Sequence, residues 1–218
     1  MSVDGYIDDA TPGGLLLSSQ MDLDRVDGER ASCDAILIGA NTIRQDNPRL
    51  VVRSKARRAE RLSRGQPATP IKVTITNSGN LDPASDFFSP GEVRKLIYCP
   101  RRAEDALRKR LGTTACIIAK GDTVTPLMML NDLADRGIER LLVEGGRDIH
   151  TQFLTAGLID ELQLVIAPLF VGDSHAPRFV DDGIFPHHAG HRMRLSEARS
   201  IGDVVLLRYL LKSPVGGG

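Results

Sequence analysis

The stretch from Leu142 to His150 combines residue types that suit a turn that binds an anion. An apolar run ends at the carboxylate of Glu144, Gly145 and Gly146 follow, and an amphipathic helical pattern begins at Arg147. Glycines let a ligand approach the main chain closely, and the free N–H groups at a helix start attract a phosphate. The pattern predicts a site for the pyrophosphate of a dinucleotide, with Arg147 adding positive charge. It is not the GxGxxG fingerprint, and a tight turn with an exposed acid is the alternative.

A second junction of the same kind follows the apolar run from Ala35 to Gly39. Thr42 comes in the next turn, and an Asp-Asn-Pro sequence begins at Asp46. Thr42 can cap a helix or bond a cofactor amide, and Asp46 can simply cap a turn, so each residue alone also has a structural explanation. Two junctions of strand, glycine and helix in one chain favour a nucleotide site. Asp46 and Glu144 are the carboxylates available there for acid–base catalysis.

The elements that must position these junctions alternate in type along the chain. β-branched runs predict strands and helical periodicity predicts helices between them. The predicted strands are Ala35 to Gly39, Ile71 to Thr76, Lys95 to Cys99, Cys116 to Ala119 and Arg140 to Glu144, and the predicted helices are Ala103 to Leu111 and Pro126 to Arg136. This order predicts a mainly parallel sheet flanked by helices. Because ligands bind beyond the carboxyl ends of parallel strands, Glu144 is expected at the mouth of the site.

The final third of the chain changes character. Glu161 to Val171 and Asp203 to Leu211 are long strand-like runs, and a loop rich in proline, glycine and histidine separates them. They predict a closing antiparallel hairpin. Its loop contains three histidines between Phe185 and His191; metal binding is conceivable, but a polar surface loop is favoured and no metal site is predicted.

Composition limits the class of protein. The chain has 218 residues, of which 41% are hydrophobic, which suits a single α/β domain over residues 1–212 with a flexible tail at 213–218. Lys plus Arg and Asp plus Glu are both 28, so no overall field would draw the protein to nucleic acid or to an anionic membrane. The apolar run from Leu162 to Val171 is shorter than the roughly 20 residues that span a bilayer, and no secretory signal is visible. A cytoplasmic protein is expected.

The cysteines and the basic segment are given structural interpretations. Cys33, Cys99 and Cys116 form no CxxC pair and are expected to be buried small hydrophobic residues. The segment from Arg53 to Arg64 carries six basic residues against one acid. It can be a stripe that binds RNA, but it lacks interleaved aromatic residues, so a solvated helix or loop is favoured. Arg53 itself lies where it can face the site.

Several ordered motifs give the chain a family resemblance. They are Met1 to Ile7, Gly39 to Thr42 with Asp46 to Leu50, Val143 to Gly146, and Ala156 to Leu162 followed by Ala167-Pro168 and Gly172. In order and spacing they resemble the reductase domain of bacterial riboflavin-biosynthesis deaminase-reductases, over nearly the whole chain. The resemblance implies a dihydrofolate-reductase-like fold, NADPH as cofactor and a homodimer. The apolar runs of the final third also look too hydrophobic for a free sheet edge.

The resemblance also implies site residues. Contacts to NADPH are expected at Thr42, Asp46, Asn77 and the loop from Gly146 to Gln152. With the two glycine junctions added, the cofactor set is Gly39, Thr42, Asp46, Asn77, Gly145, Gly146, Arg147, Asp148, Ile149, His150 and Gln152. His150 can equally be an exposed helix residue.

The implied substrate is a phosphorylated pyrimidine, 5-amino-6-ribosylaminopyrimidine 5′-phosphate, with hydride passing from the nicotinamide to C1′ of its ribose. The resemblance puts Arg30, Leu50, Arg53 and Glu144 around it. Two arginines can grip a 5′-phosphate through charge-assisted hydrogen bonds, while a carboxylate accepts from ring or ribityl donors. Either arginine can instead make only a surface ion pair.

Departures from the family pattern keep alternatives open. The chain begins at Met1 within the Ser-x-Asp-Gly motif, Leu16 stands where the family usually has an aromatic residue near the nicotinamide, and Asn77 stands where a small hydroxyl residue is common. One alternative is a reductase of the same fold with another heterocycle, of dihydrofolate or secondary-metabolite type. Another is a protein that binds NADPH without oxidising it. The zinc signature of base deaminases is absent from these residues.

Overall fold

The structure is a computed structural model that describes residues 1–9, 11, 15–88 and 93–212. Its contacts divide the chain into two compact units. The parallel-sheet unit is Arg25–Ile149, and the antiparallel-sheet unit combines Met1–Asp24 with His150–Gly218. The tail expected at 213–218 lies outside the described residues.

The parallel-sheet unit contains five strands: β1 Ala35–Gly39, β2 Ile71–Ile75, β3 Lys95–Cys99, β4 Cys116–Ala119 and β5 Leu141–Gly145. All neighbouring pairs are parallel, in the order β4-β3-β2-β1-β5. Every residue of β1 and of β3 is buried, which explains why these strands read as continuous apolar runs rather than as alternating ones. The five predicted strands are confirmed, with β2 one residue shorter than predicted and β5 shifted by one residue.

The helices are α1 Gln20–Ser32, α2 Ala40–Asp46, α3 Lys55–Ser63, α4 Arg101–Leu111, α5 Pro126–Asp135 and α6 Arg147–Thr155. The division between the two units falls within α1 and α6. The start of α5 follows from its sequence, because the Thr125 hydroxyl accepts from the N–H of Met128 at 3.2 Å and Pro126 occupies the first turn. Gly137, at φ 78°, follows the helix as predicted.

The basic segment forms α3, as the favoured interpretation expected. The side chain of Arg61 is buried and donates to the carbonyls of Ala31 and Cys33, each at 2.8 Å. Part of the positive charge in this segment therefore fixes α3 against the end of α1. Of the cysteines, Cys33 and Cys99 are buried, but Cys116 is exposed at the start of the edge strand β4, so the expectation that all three are buried is wrong.

The antiparallel-sheet unit contains β6 Glu161–Ile166, β7 Arg194–Ile201 and β8 Val204–Leu210, in the order β6-β8-β7. The two predicted strands do pair antiparallel, but β6 ends at Ile166 and not at Val171. However, the partner that forms a hairpin with β8 is β7, which the sequence did not predict. Six of the eight residues of β7 are exposed and most are polar, so the strand gives no apolar alternation. Among the described residues, no helix is long and apolar enough to cross a membrane.

The first residues of the chain run beside the end of β6 and the segment that follows it. The amino group of Met1 donates to the carbonyl of Val165 at 2.6 Å. The carboxylate of Asp4 accepts from the N–H groups of Val171 and Gly172 at 3.1 and 2.8 Å. A hydrogen bond from Ser2 is the largest influence that lowers the pKa of Asp4, to about 2. These contacts explain in structural terms why the Ser-x-Asp-Gly motif and the distant Gly172 occur together.

Candidate functional site

The two glycine junctions lie side by side at the carboxyl ends of two strands of the parallel sheet. β1 and β5 are neighbouring parallel strands, and both end there in glycine. The register shifts between them, since Leu37 pairs with Val143 but Ile38 pairs with Gly145. Glu144 is therefore the extra residue of a bulge. Bulges re-aim side chains and are common beside active sites.

Gly146 is a point of close approach between the two junctions. Its φ is 76°, a backbone conformation that residues other than glycine rarely adopt. A Cβ built there would lie 2.6 Å from Oγ1 of Thr42. A side chain at this position would clash with Thr42, so glycine lets the turn before α6 lie against the first turn of α2. The glycine requirement predicted for a close-approach turn thus has a direct structural cause.

A second set of contacts joins the starts of α2 and α6. The amide of Asn41 donates to Oδ2 of Asp148 at 3.1 Å. A Cβ at Gly39 would lie 3.0 Å from Cγ1 of Ile149, whose side chain is buried. Ile149 therefore offers a ligand its main chain and not its side chain. Arg147 is exposed, with its Nε 3.7 Å from Oδ1 of Asp148.

Helix α2 presents Thr42 and Asp46 on one face. The two residues are four apart in the helix, so their side chains are neighbours along its surface. Gly39 precedes the helix without a side chain that caps its N–H groups. An uncapped helix start leaves those groups to water or to a ligand.

The carboxylate of Glu144 is held by Arg30 from the last turn of α1. Nε of Arg30 donates to Oε2 at 2.8 Å and NH2 donates to Oε1, which makes the pair bidentate. The side chains are only 13% and 23% exposed. Burial alone would lower the pKa of Arg30, but the bonds and charge of Glu144 and the charge of Asp27 raise it. Arg30 therefore fixes the orientation of Glu144 in this structure.

Asp27 fixes the peptide units on both sides of Arg53. Its Oδ1 accepts from the N–H of Arg53. Its Oδ2 accepts from the N–H of Ser54 at 3.1 Å and from the guanidinium of Arg57 at 2.9 Å. The Arg53 side chain is exposed and has no hydrogen bond or ion pair within the described residues. Sequence reasoning missed Asp27, because a carboxylate in a polar helix carries no signal of a contact 26 residues away.

The loop between α2 and α3 also contains Leu50 at φ 47°. A leucine with positive φ is strained, and such residues concentrate at functional sites. Its side chain is 2% exposed and packs in the main core cluster. Leu50 can therefore meet a substrate through its main chain alone.

Asn77 is exposed directly beyond β2, at the same end of the parallel strands. The turn that follows it is surrounded by positive charge. Arg44 donates to the carbonyl of Asn80 at 2.9 Å, and Arg110 donates to the Asn80 side chain at 3.1 Å and to the carbonyl of Gly79 at 3.3 Å.

The remaining predicted residues belong to the antiparallel-sheet unit. Nδ1 of His150 lies 3.3 Å from the carbonyl of Phe179, and the two rings are 4.9 Å apart. Burial lowers the pKa of His150, partly offset by that carbonyl, so the ring is neutral at pH 7. His150 is half-buried and is not the exposed helix residue of the alternative interpretation. Gln152 is exposed, and Leu16 is 76% exposed.

Several contacts within the histidine loop join its own residues. The rings of His187 and His191 stack at 4.7 Å, and the main chains of His188 and His191 bond each other. Over the part of the chain that the structure describes, no group of three or more His, Cys, Asp or Glu side chains is arranged to hold a metal.

Comparison with known proteins gives one consistent group of relatives. The family model described as the RibD C-terminal domain matches residues 1–207. The 2,5-diamino-6-ribosylamino-4(3H)-pyrimidinone 5′-phosphate reductase of Methanothermobacter thermautotrophicus is 32% identical over 97% of this chain and 95% of its own. The protein of the same name from Archaeoglobus fulgidus is 30% identical over 93% and 90%. A solved pyrimidine reductase-like protein from Corynebacterium diphtheriae is 26% identical, with a TM-score of 0.80 over 96% of this chain and 88% of that one.

Proposed function

The chain belongs to the RibD C-terminal domain family, and from this premise we propose that it is an oxidoreductase of the pyrimidine reductase type that acts in riboflavin biosynthesis. In this proposal it uses NADPH to reduce C1′ of the ribose of a 5-amino-6-ribosylaminopyrimidine 5′-phosphate. The two relatives whose names carry a pyrimidinone 5′-phosphate reductase activity match this chain over nearly their whole length. The observation that carries the proposal is the meeting of two glycine junctions beside a bulged, arginine-bound Glu144.

The fit of a dinucleotide rests on Gly146. Because Gly146 has no Cβ, its turn lies directly against Thr42 of α2, where a side chain would meet Oγ1 at 2.6 Å, and this turn is the proposed cradle of the cofactor. The N–H groups of Gly146, Arg147 and Asp148 at a helix start suit a pyrophosphate. Thr42 and Asp46 on the neighbouring face of α2, Gly39, Gly145 and Asn77 complete the proposed contacts of this unit. Ile149 would contribute its main chain, and His150 and Gln152 continue along α6.

We also propose that the protein prefers NADPH to NADH. NADPH differs by a phosphate on the adenosine ribose, which positive charge favours. Arg44 and Arg110, both bound to Asn80 beyond β2, supply such charge beside Asn77. A lower Kd for NADPH than for NADH is the expected result.

We assign different roles in substrate binding to Arg30 and Arg53. Arg30 is engaged by Glu144, so it orients the carboxylate that accepts hydrogen bonds from the substrate. The side chain of Arg53 has no partner among the described residues and is the proposed ligand of the 5′-phosphate. Leu50 would meet the substrate through its main chain.

NADPH would supply the hydride that reduces C1′ and opens the ribose to a ribityl chain. The protein contributes orientation and charge. Reduction also consumes one proton, and Asp46 and Glu144 are the carboxylates proposed to handle it. Since Arg30 holds both oxygens of Glu144, that carboxylate is pre-oriented before the substrate binds.

A homodimer is part of the proposal. On β8, Val204 and Leu206 are buried in a core cluster, whereas the opposite face carries Val205, which is 42% exposed, beside the half-buried Leu207. Leu195 on β7 is 51% exposed. An apolar sheet face of this kind is stabilised by covering it.

We also propose that residues 1–212 form one reductase domain, since the family model matches residues 1–207. We further propose a cytoplasmic location, because a charged nucleotide substrate and cofactor do not cross membranes unaided.

The test is NADPH oxidation, followed at 340 nm, with the ribosylaminopyrimidine phosphate and with dihydrofolate as substrates. Oxidation with the pyrimidine alone would support the proposal. Oxidation with dihydrofolate alone would favour a same-fold reductase of another heterocycle. NADPH binding without oxidation by either would favour a binding protein, and no NADPH binding would refute the cofactor assignment.

A further inference from the structure

Asp27 makes an unusual set of contacts for a carboxylate within a helix. It lies in α1 with 5% of its side chain exposed. Its two oxygens accept from two consecutive main-chain N–H groups, at Arg53 and Ser54, and from the guanidinium of Arg57. Burial alone would raise the pKa of Asp27, but these bonds lower it below its ordinary value. The carboxylate therefore stays charged at neutral pH.

The carbonyl on the other side of Arg53 is fixed as well. NH1 of Arg58 donates to the carbonyl of Arg53 at 2.7 Å and to that of Val52 at 2.8 Å. The N–H and the C=O of Arg53 are thus both bonded, and its Cα cannot move without breaking one of them. Ser54, the next residue, is the N-cap of α3 and accepts from the N–H of Arg57 at 3.4 Å.

The contrast between main chain and side chain at Arg53 carries the inference. The main chain is held on both sides, whereas the exposed guanidinium has no partner among the described residues. The neighbouring Arg57 is neutralised by Asp27, whereas the charge of the Arg53 guanidinium is not compensated by any described residue. A long, flexible side chain loses less freedom on binding when its main chain is already ordered.

We propose that Asp27 is a positioning residue for substrate recognition: it fixes the Arg53–Ser54 main chain so that Arg53 presents its guanidinium to the 5′-phosphate of the substrate. The inference rests on the proposed function, since it names how that site recognises a phosphorylated ligand. Asp27 touches neither cofactor nor substrate in this account. Its effect passes entirely through Arg53.

The experiment measures Kd of the pyrimidine phosphate for the protein saturated with NADP⁺, a complex that cannot turn over. The variants are Asp27→Asn, Arg53→Gln and the double variant. We expect each single variant to raise Kd about five- to tenfold, and the double variant to be no weaker than Arg53→Gln, because both changes remove one interaction. Kd of the dephosphorylated nucleoside and of NADPH should change less than about twofold.

Asp34 offers a matched control. Its carboxylate also accepts from two main-chain N–H groups, those of Glu139 and Arg140 at 3.0 and 2.9 Å. Asp34 itself precedes β1, so it lies at the amino ends of the parallel strands, whereas the glycine junctions lie at their carboxyl ends. Asp34→Asn should lower Tm much as Asp27→Asn does and leave Kd of the nucleotide unchanged. Equal Kd values for Asp27→Asn and Asp34→Asn, or additive effects of Asp27→Asn and Arg53→Gln, would overturn the inference.

The same measurement separates this inference from the proposed function. Wild-type protein that oxidises NADPH with the pyrimidine phosphate, but whose Kd is insensitive to Asp27→Asn, would retain the function and lose the inference. Wild-type protein that binds the nucleotide through Asp27 and Arg53 without turnover would retain the inference and lose the function. Failure of wild type to bind the nucleotide would refute both.

Discussion

Replacing Gly146 by alanine perturbs the proposed cofactor site with the smallest possible side chain. The residue has φ 76°, and moving a non-glycine residue into the left-handed region costs about 1–2 kcal/mol. The added Cβ would lie 2.6 Å from Oγ1 of Thr42, and relieving such overpacking costs about 1–3 kcal/mol more. We expect Gly146→Ala to lose about 2–5 kcal/mol of unfolding free energy in urea.

Gly137 separates the two contributions. It has nearly the same φ, 78°, but a Cβ there would meet nothing within 4 Å. Gly137→Ala should therefore cost only the conformational part, about 1–2 kcal/mol, and leave Kd for NADPH unchanged. In a Thr42→Ala background the nearest remaining atom is Cβ at 4.0 Å, so Gly146→Ala should there cost no more than Gly137→Ala.

The functional readout is Kd for NADPH by fluorescence titration. Displacing the start of α6 or the side chain of Thr42 should weaken binding at least tenfold, or about 1.4 kcal/mol. Two results together would falsify the assignment of the Gly146 turn as the cofactor cradle. They are a Gly146→Ala variant no less stable than Gly137→Ala, and a wild-type Kd for NADPH in that variant.

Three further results are expected. Burial is the main cause that lowers the pKa of Lys72 from 10.5 to about 8, so Lys72 contributes a rise in stability between those pH values. Lys72→Met should remove that contribution and, at about 1.4 kcal/mol per pKa unit, stabilise the protein at pH 7 by up to about 3 kcal/mol in chemical denaturation. The pKa of Asp4 is lowered from 3.8 to about 2, so the stability that this carboxylate contributes is lost as pH falls through that interval. The unfolding free energy of Asp4→Asn should therefore fall less steeply with acid than that of wild type. An unchanged acid transition would count against this role of Asp4. Light scattering at micromolar concentration should give the mass of a dimer, and Val205→Lys should give that of a monomer; a monomeric wild type would refute the dimer.

The sequence predicted the parallel sheet well because β1 and β3 are buried throughout and give continuous apolar runs. It missed β7 because a strand that is mostly exposed carries no such signal. The glycine at Gly146 was predicted from local chemistry, and its steric cause, Thr42, became visible only when the fold brought two chain segments together.

The finer organisation of the site depends on contacts between distant residues. Arg30 and Glu144 are 114 positions apart, and no local pattern indicates that one would bind the other rather than the substrate. Leu50 could be assigned to the site by resemblance, but its buried side chain and positive φ follow from the folded loop. Asp27 carried no sequence signal at all.

We propose above all that this chain transfers hydride from NADPH to C1′ of a phosphorylated ribosylaminopyrimidine. The most direct test is incubation of wild-type protein with NADPH deuterated at the transferring C4 position, followed by NMR and mass spectrometry of the product. Hydride transfer to C1′ predicts a ribityl product with one deuterium at C1′. Deuterium elsewhere in the product, or unchanged ribosylaminopyrimidine phosphate in the presence of bound NADPH, would contradict it.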